Sequence, residues 1–154
     1  KIFVFVANLS LKIIMITWLK DIKMMTVENT VKLLHNSLQT PDGTILTSRA
    51  QHDYRSYEDA NGKTYMIDGG LAYVRCSANG DEKHMCVWSD DEYELIRENA
   101  EWGTYGVNGD QPLTYVKIKD MSTEHLEACV KTRQSPGRMF DVFVTELDYR
   151  SSSC

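Results

Sequence analysis

The residues best equipped for chemistry crowd into one stretch, Ser48 to Arg75, which holds Arg49, His52, Asp53, Arg55, Asp68, Gly69, Gly70, Tyr73 and Arg75. Imidazole with carboxylate is the material of acid–base chemistry, because the carboxylate fixes the imidazole tautomer. His52 and Asp53 are adjacent, and adjacent side chains on a strand point to opposite faces. The better partner for His52 is therefore Asp68, reached across a sheet. Arg49, Arg55 and Arg75 offer planar forks that suit a phosphate or a carboxylate. Three readings stay open for this stretch. Either Asp68-Gly69-Gly70 is only a turn and the arginines only bridge to acids, or the stretch contacts a ligand or a nucleic acid, or it is catalytic. Catalysis would need a nucleophile or a metal to complete the site. The sequence has no G-x-S-x-G, P-loop or H-E-x-x-H motif to supply one.

A second candidate is the loop Gly103-Thr104-Tyr105-Gly106-Val107-Asn108-Gly109. Trp102 and Tyr105 beside it could stack a base, or simply edge the core. The glycines follow a predicted helix and precede a predicted strand, the reverse of the order in a phosphate-cradling loop. Metal chemistry is not expected. Cys76, Cys86, Cys129 and Cys154 form no C-x-x-C pair, and His35, His52, His84 and His125 are scattered. Free thiols are the simpler reading, with a Cys76–Cys86 disulfide the open alternative. No cofactor is implied.

These groups must be placed by short elements. Residues 26–38 begin with helical spacing (Val27, Val31, Leu34) but suit a strand equally. Pro41-Asp42-Gly43 predicts a turn, with Gly43 taking the positive φ, before a strand over Thr44 to Thr47. Asn61-Gly62 between β-prone runs predicts a hairpin of Tyr54 to Glu58 with Lys63 to Ile67. That hairpin brings Ser48–Asp53 close to Asp68–Arg75. Gly69-Gly70 ends it, and Leu71 to Val74 and Met85 to Trp88 read as further strands. Ser89 with Glu92 reads as a capping box opening a helix over residues 90–101. Thr114 to Ile118 alternates as a strand. Ser122 caps a helix over Thr123 to Arg133, Pro136-Gly137 breaks it, and Phe140, Phe143, Val144 and Leu147 mark a last helix. The fold class is α+β: a small antiparallel hairpin sheet followed by two or three helices.

The chain has 154 residues and a net charge of −5. Its first 24 residues carry +3 and the remainder −8. An acidic body does not wrap duplex DNA, which needs a basic face. Residues 2–19 are apolar but interrupted by Asn8, Ser10, Lys12 and Thr17, and a central lysine opposes membrane insertion. Residues 1–24 read as an extension outside the domain, best explained as upstream translation before Met24 or Met25. A membrane anchor and an apolar helix packed on the domain are the alternatives. Residues 25–150 form a single domain.

Three runs carry a family resemblance: Leu34-His35-Asn36-Ser37, Ser48-Arg49-Ala50-Gln51-His52-Asp53-Tyr54, and Ile67-Asp68-Gly69-Gly70-Leu71-Ala72-Tyr73-Val74-Arg75. With Trp102 to Gly106, Gln111-Pro112-Leu113, Asp120-Met121 and His125-Leu126, they resemble small accessory proteins of tailed bacteriophages, often labelled modifier of suppressor tRNAs. The resemblance spans about residues 33–130. It implies a non-enzymatic protein in the host cytoplasm that binds a host factor, a tRNA or a nucleotide through the Arg49–Arg75 face. Some shorter relatives carry cysteine pairs suggesting a zinc knuckle. Here Thr40-Pro41-Asp42-Gly43 and Asp59-Ala60-Asn61-Gly62 stand in those places. Ala50-Gln51 also stands where the family usually has a basic pair. The rival reading is a small hydrolase or nuclease using His52 and Asp68.

Overall fold

Short β-prone runs punctuated by Asp and Gly turns give short strands, and the computed structural model shows ten of them among the residues it describes, 30–132 and 137–152. In chain order they are β1 (Leu33–His35), β2 (Ser37–Gln39), β3 (Ile45–Thr47), β4 (Arg55–Glu58), β5 (Thr64–Asp68), β6 (Arg75–Cys76), β7 (Lys83–His84) and β8 (Val87–Trp88). Helix α1 (Tyr93–Asn99), β9 (Glu101–Thr104), β10 (Thr114–Lys117), a 3-10 turn (Ile118–Asp120), α2 (Thr123–Thr132) and α3 (Phe140–Ser152) follow. All strand pairs are antiparallel. They form two ribbons, β1–β8 and β9–β10, and two three-stranded sheets, β3–β2–β7 and β4–β5–β6. This is an α+β fold. The chain divides between Thr30 and Val31, and the unit described runs from Val31. The extension read over residues 1–24 lies outside the described residues. Among the described residues no helix is long and apolar enough to cross a membrane.

Both predicted turns form. Gly43 has φ 91° and donates its N–H to Thr40, while Thr40 donates to Thr44. Gly62 has φ 78°, and the Asp59 carboxylate accepts the N–H groups of Asn61 and Lys63 at 2.9 Å each. The residues around Leu34 and Leu38 are strands rather than helix. Their side chains divide between two cores, Leu34 in the larger and Leu38 in the smaller, because β1 pairs with β8 while β2 pairs with β3 and β7.

Four expectations need correction. Leu71 to Val74 is not a strand: Ala72 and Tyr73 both direct their N–H groups to the Gly69 carbonyl, so the chain turns before β6. The strand β7, paired with β2, was not expected from Lys83-His84. The Ser89–Glu92 box does not form, because Ser89 Oγ accepts the Lys32 N–H instead and α1 has no side-chain cap. Helix α1 also ends earlier, and Glu101–Thr104 is strand, with Gly103 opposite Tyr115. Pairing with β10 overrides the helical spacing there. Ser122 does cap α2, accepting the His125 N–H at 3.2 Å. The expected end at Arg133 and the Pro136 break lie outside the described residues.

The larger core gathers Leu34, Ile96, Ile118, Leu126 and Phe143 between α1, the 3-10 turn, α2 and α3. Trp102 meets Phe143 edge-to-face, centroids 5.0 Å apart, an arrangement worth about 0.5–1.5 kcal/mol beyond area burial. That contact fixes β9 against α3. The smaller core, Leu38, Leu46, Tyr65 and Ile67, fills the space between the two three-stranded sheets. Beside the larger core lies a fully buried carboxylate, Glu146, which accepts from Tyr93, Arg97 and Arg150 at 2.7–2.9 Å. Arg150 goes on to the carbonyls of Ile118, Lys119 and Met121, satisfying the end of the 3-10 turn.

Candidate functional site

A break between β1 and β2 puts Asn36 at the centre of the polar stretch. The β1–β8 register shifts between Leu33 and His35, and Asn36 is fully buried. Its amide donates to the carbonyls of Asp68 (3.2 Å), Gly70 (2.9 Å) and Tyr73 (3.4 Å), and its Oδ1 accepts from Cys86 Sγ at 3.4 Å. Ser48 adds a second staple, donating to the Asp53 carbonyl and accepting the Gly70 N–H, both at 2.8 Å. The segments Ser48–Asp53 and Asp68–Arg75 therefore do meet, as the hairpin requires.

What they bring together is mostly ion pairs and turn bonds. Asp53 accepts the Arg49 N–H at 2.9 Å and pairs with Arg55 Nε at 2.7 Å. Asp68 pairs with Arg75 at 3.4 Å and accepts from the Tyr73 hydroxyl at 3.2 Å, while its Oδ1 is buried without a partner among the described residues. His52 is exposed in the turn after Ala50 and hydrogen-bonds to none of the described residues. The expected His52–Asp68 hydrogen bond is not made: His52 is exposed in its turn, whereas Asp68 is buried and gives its Oδ2 to Tyr73 and Arg75. Gly69 and Gly70 have φ of 99° and 54°, and their bare α-carbons pack against Tyr73 and Ala50 rather than facing open space. Tyr105 is exposed in the β9–β10 loop.

Arg49 is the exception. Its Nε donates to Glu101 at 2.7 Å, and its guanidinium lies 4.6 Å from the centroid of the Tyr115 ring, a cation–π contact. The guanidinium has five N–H donors, and the four on its Nη atoms have no partner among the described residues. Arg49 lines a cavity of about 260 Å³ together with His35, Leu71, Glu101, Trp102 and Tyr115. It also lines a second, wider cavity of about 420 Å³ with Thr47, Arg55 and Ser56. Thr47 and Arg49 are common to both.

His35 faces the first cavity. Burial pushes its pKa down, and Arg49 and Lys117 push the same way against the attraction of Glu101. It is neutral at pH 7, with one ring nitrogen donating and the other accepting. The sequence reading singled out Arg49 and Trp102 but missed His35, Glu101 and Tyr115. Alternation along β10 was the available signal for Tyr115. Glu101 was hidden by the helical reading of residues 90–101. Among the described residues no three His, Cys, Asp or Glu side chains converge as metal ligands. No protein-family model, curated protein or solved structure matches this sequence.

Proposed function

We propose that this chain is a non-enzymatic binding protein, a bacteriophage accessory protein acting in the host cytoplasm, and that it holds unpaired nucleotide chemistry, as in a tRNA, at Arg49. The observation that carries this reading is Arg49 itself. It is held through Nε by Glu101 and stacked on Tyr115, and among the described residues its Nη donors stay unspent between two cavities. A fork fixed on one edge and free on the other is pre-organised, so little side-chain entropy remains to be lost on binding. Aromatic rings beside it suit bases, which stack on aromatic side chains in single-stranded recognition. The hydrolase reading draws no support, since His52 hydrogen-bonds to no partner among the described residues.

Titrating bulk bacterial tRNA against the chain tests this. Saturable binding is expected, weakened by about tenfold or more in Arg49→Gln, as befits a lost charge-assisted contact. The same substitution removes the Glu101 pair, so a stability loss of about 1–2 kcal/mol is expected alongside. Binding that is equal in the two proteins would refute the assignment.

A further inference from the structure

We infer that the two cavities flanking Arg49 form one composite site for a nucleoside monophosphate unit, with the base in the first and the phosphate in the second. This rests on the reading above and names its ligand.

Size is the first argument. Pockets for drug-sized ligands run to about 300–1,000 Å³, so the first cavity, at about 260 Å³, suits a base-sized group rather than a whole nucleotide. Its walls fit a base. Trp102, Tyr115 and Leu71 give apolar and aromatic surface. Neutral His35 and Glu101 give hydrogen-bonding edges. Glu101 uses Oε2 on Arg49, and its Oε1 has no partner among the described residues, so an exocyclic amino group can donate to it.

The second cavity has a different character. Arg49 and Arg55 both line it, with Ile45, Leu46, Thr47 and Ser56. Each arginine is engaged by a carboxylate through Nε: Arg49 by Glu101, Arg55 by Asp53. Engagement at Nε leaves the two Nη nitrogens of each fork for another acceptor. Phosphate oxygens match that geometry as paired, charge-assisted hydrogen bonds. Because Thr47 and Arg49 belong to both cavities, base and phosphate of one unit can be held at once. A free mononucleotide and an unpaired nucleotide within an RNA present this same chemistry.

The test is calorimetric titration of the full chain with AMP, adenosine and inorganic phosphate, in the native protein and in Arg55→Gln and Tyr115→Ala. Arg55 is largely exposed, so its substitution should leave the fold intact. AMP is expected to bind one per chain and about tenfold tighter than adenosine, the increment of one charge-assisted phosphate contact. Arg55→Gln should erase the difference between AMP and adenosine. Tyr115→Ala should weaken both. Equal binding of AMP and adenosine, or an undiminished AMP preference in Arg55→Gln, overturns the composite site. Binding of tRNA that depends on Arg49, with no AMP binding at millimolar concentration, overturns this inference alone and leaves the reading beneath it standing. Loss of Arg49 without effect on either ligand overturns both. An AMP preference with tRNA excluded marks the free mononucleotide as the source.

Discussion

Replacing Glu146 with Gln is expected to destabilise the protein by about 3–5 kcal/mol, because it strands two arginines that the carboxylate neutralises. Glu146 has no exposed surface, yet it receives Arg97 through Nε and Nη2, Arg150 through Nε, and the Tyr93 hydroxyl. Burial alone would raise its pKa. The hydrogen bonds from Arg97, Tyr93 and Arg150 outweigh burial and hold it at about 2, against an ordinary 4.5. The folded state thus binds its proton more weakly than the unfolded state does, so stability rises with pH across that interval. The contribution, about 3 kcal/mol by linkage, is fully present above about 4.5 and is lost as pH falls toward about 2. Chemical denaturation from pH 7 down to pH 3 checks this. The native protein should lose stability over that range more steeply than Glu146→Gln, which has no such proton to take up. Parallel pH profiles for the two proteins would remove the network from the list of what holds α1 to α3.

The second large effect is expected at Gly70. Its φ of 54° is tolerable for other residues at modest cost, but a Cβ there would stand 2.4 Å from the backbone carbon of Ala50. Backbone cannot swing aside as a side-chain tip can, so the loop after Arg49 must move. Strain and overpacking together put Gly70→Ala at about 2–5 kcal/mol. Gly43 is the control: its φ is 91° with nothing within 4 Å, so Gly43→Ala should cost only the left-handed backbone strain, about 1–2 kcal/mol. Thermal melts of the two proteins make the comparison. Displacement of Ala50 also carries Arg49 away from Tyr115 and Glu101, so Gly70→Ala should weaken ligand binding where Gly43→Ala does not.

Local chemistry made the turns readable in advance. Thr40-Pro41-Asp42-Gly43 and Asp59-Ala60-Asn61-Gly62 encode their backbone angles in four residues each, and the hairpin between β4 and β5 follows from the second. The meeting of Ser48–Asp53 with Asp68–Arg75 follows in turn. Where the reading failed, distant partners decided. Ser89 looks like a cap until Lys32, remote in sequence, claims its hydroxyl. Glu101 looks helical until β10 pairs with it. Asn36 carries no local signal at all, since its role depends on three carbonyls more than thirty residues away. The site suffered for the same reason. Arg49 could be picked by type, but its fixing by Glu101 and Tyr115 depends on the β9–β10 ribbon. His52, conspicuous beside Asp53 in sequence, ends exposed and unpaired among the described residues.

The claim that Arg49 and its two cavities are the binding site, rather than the His52–Arg75 side of the same stretch, is tested most directly by nitrogen–proton NMR of the full chain titrated with AMP. Saturating shifts are expected at the Arg49 Nε–H, the Trp102 indole N–H and the Thr47 and Arg55 amides. A titration that leaves these signals in place, or that moves only His52, Tyr73 and Arg75, would contradict the account.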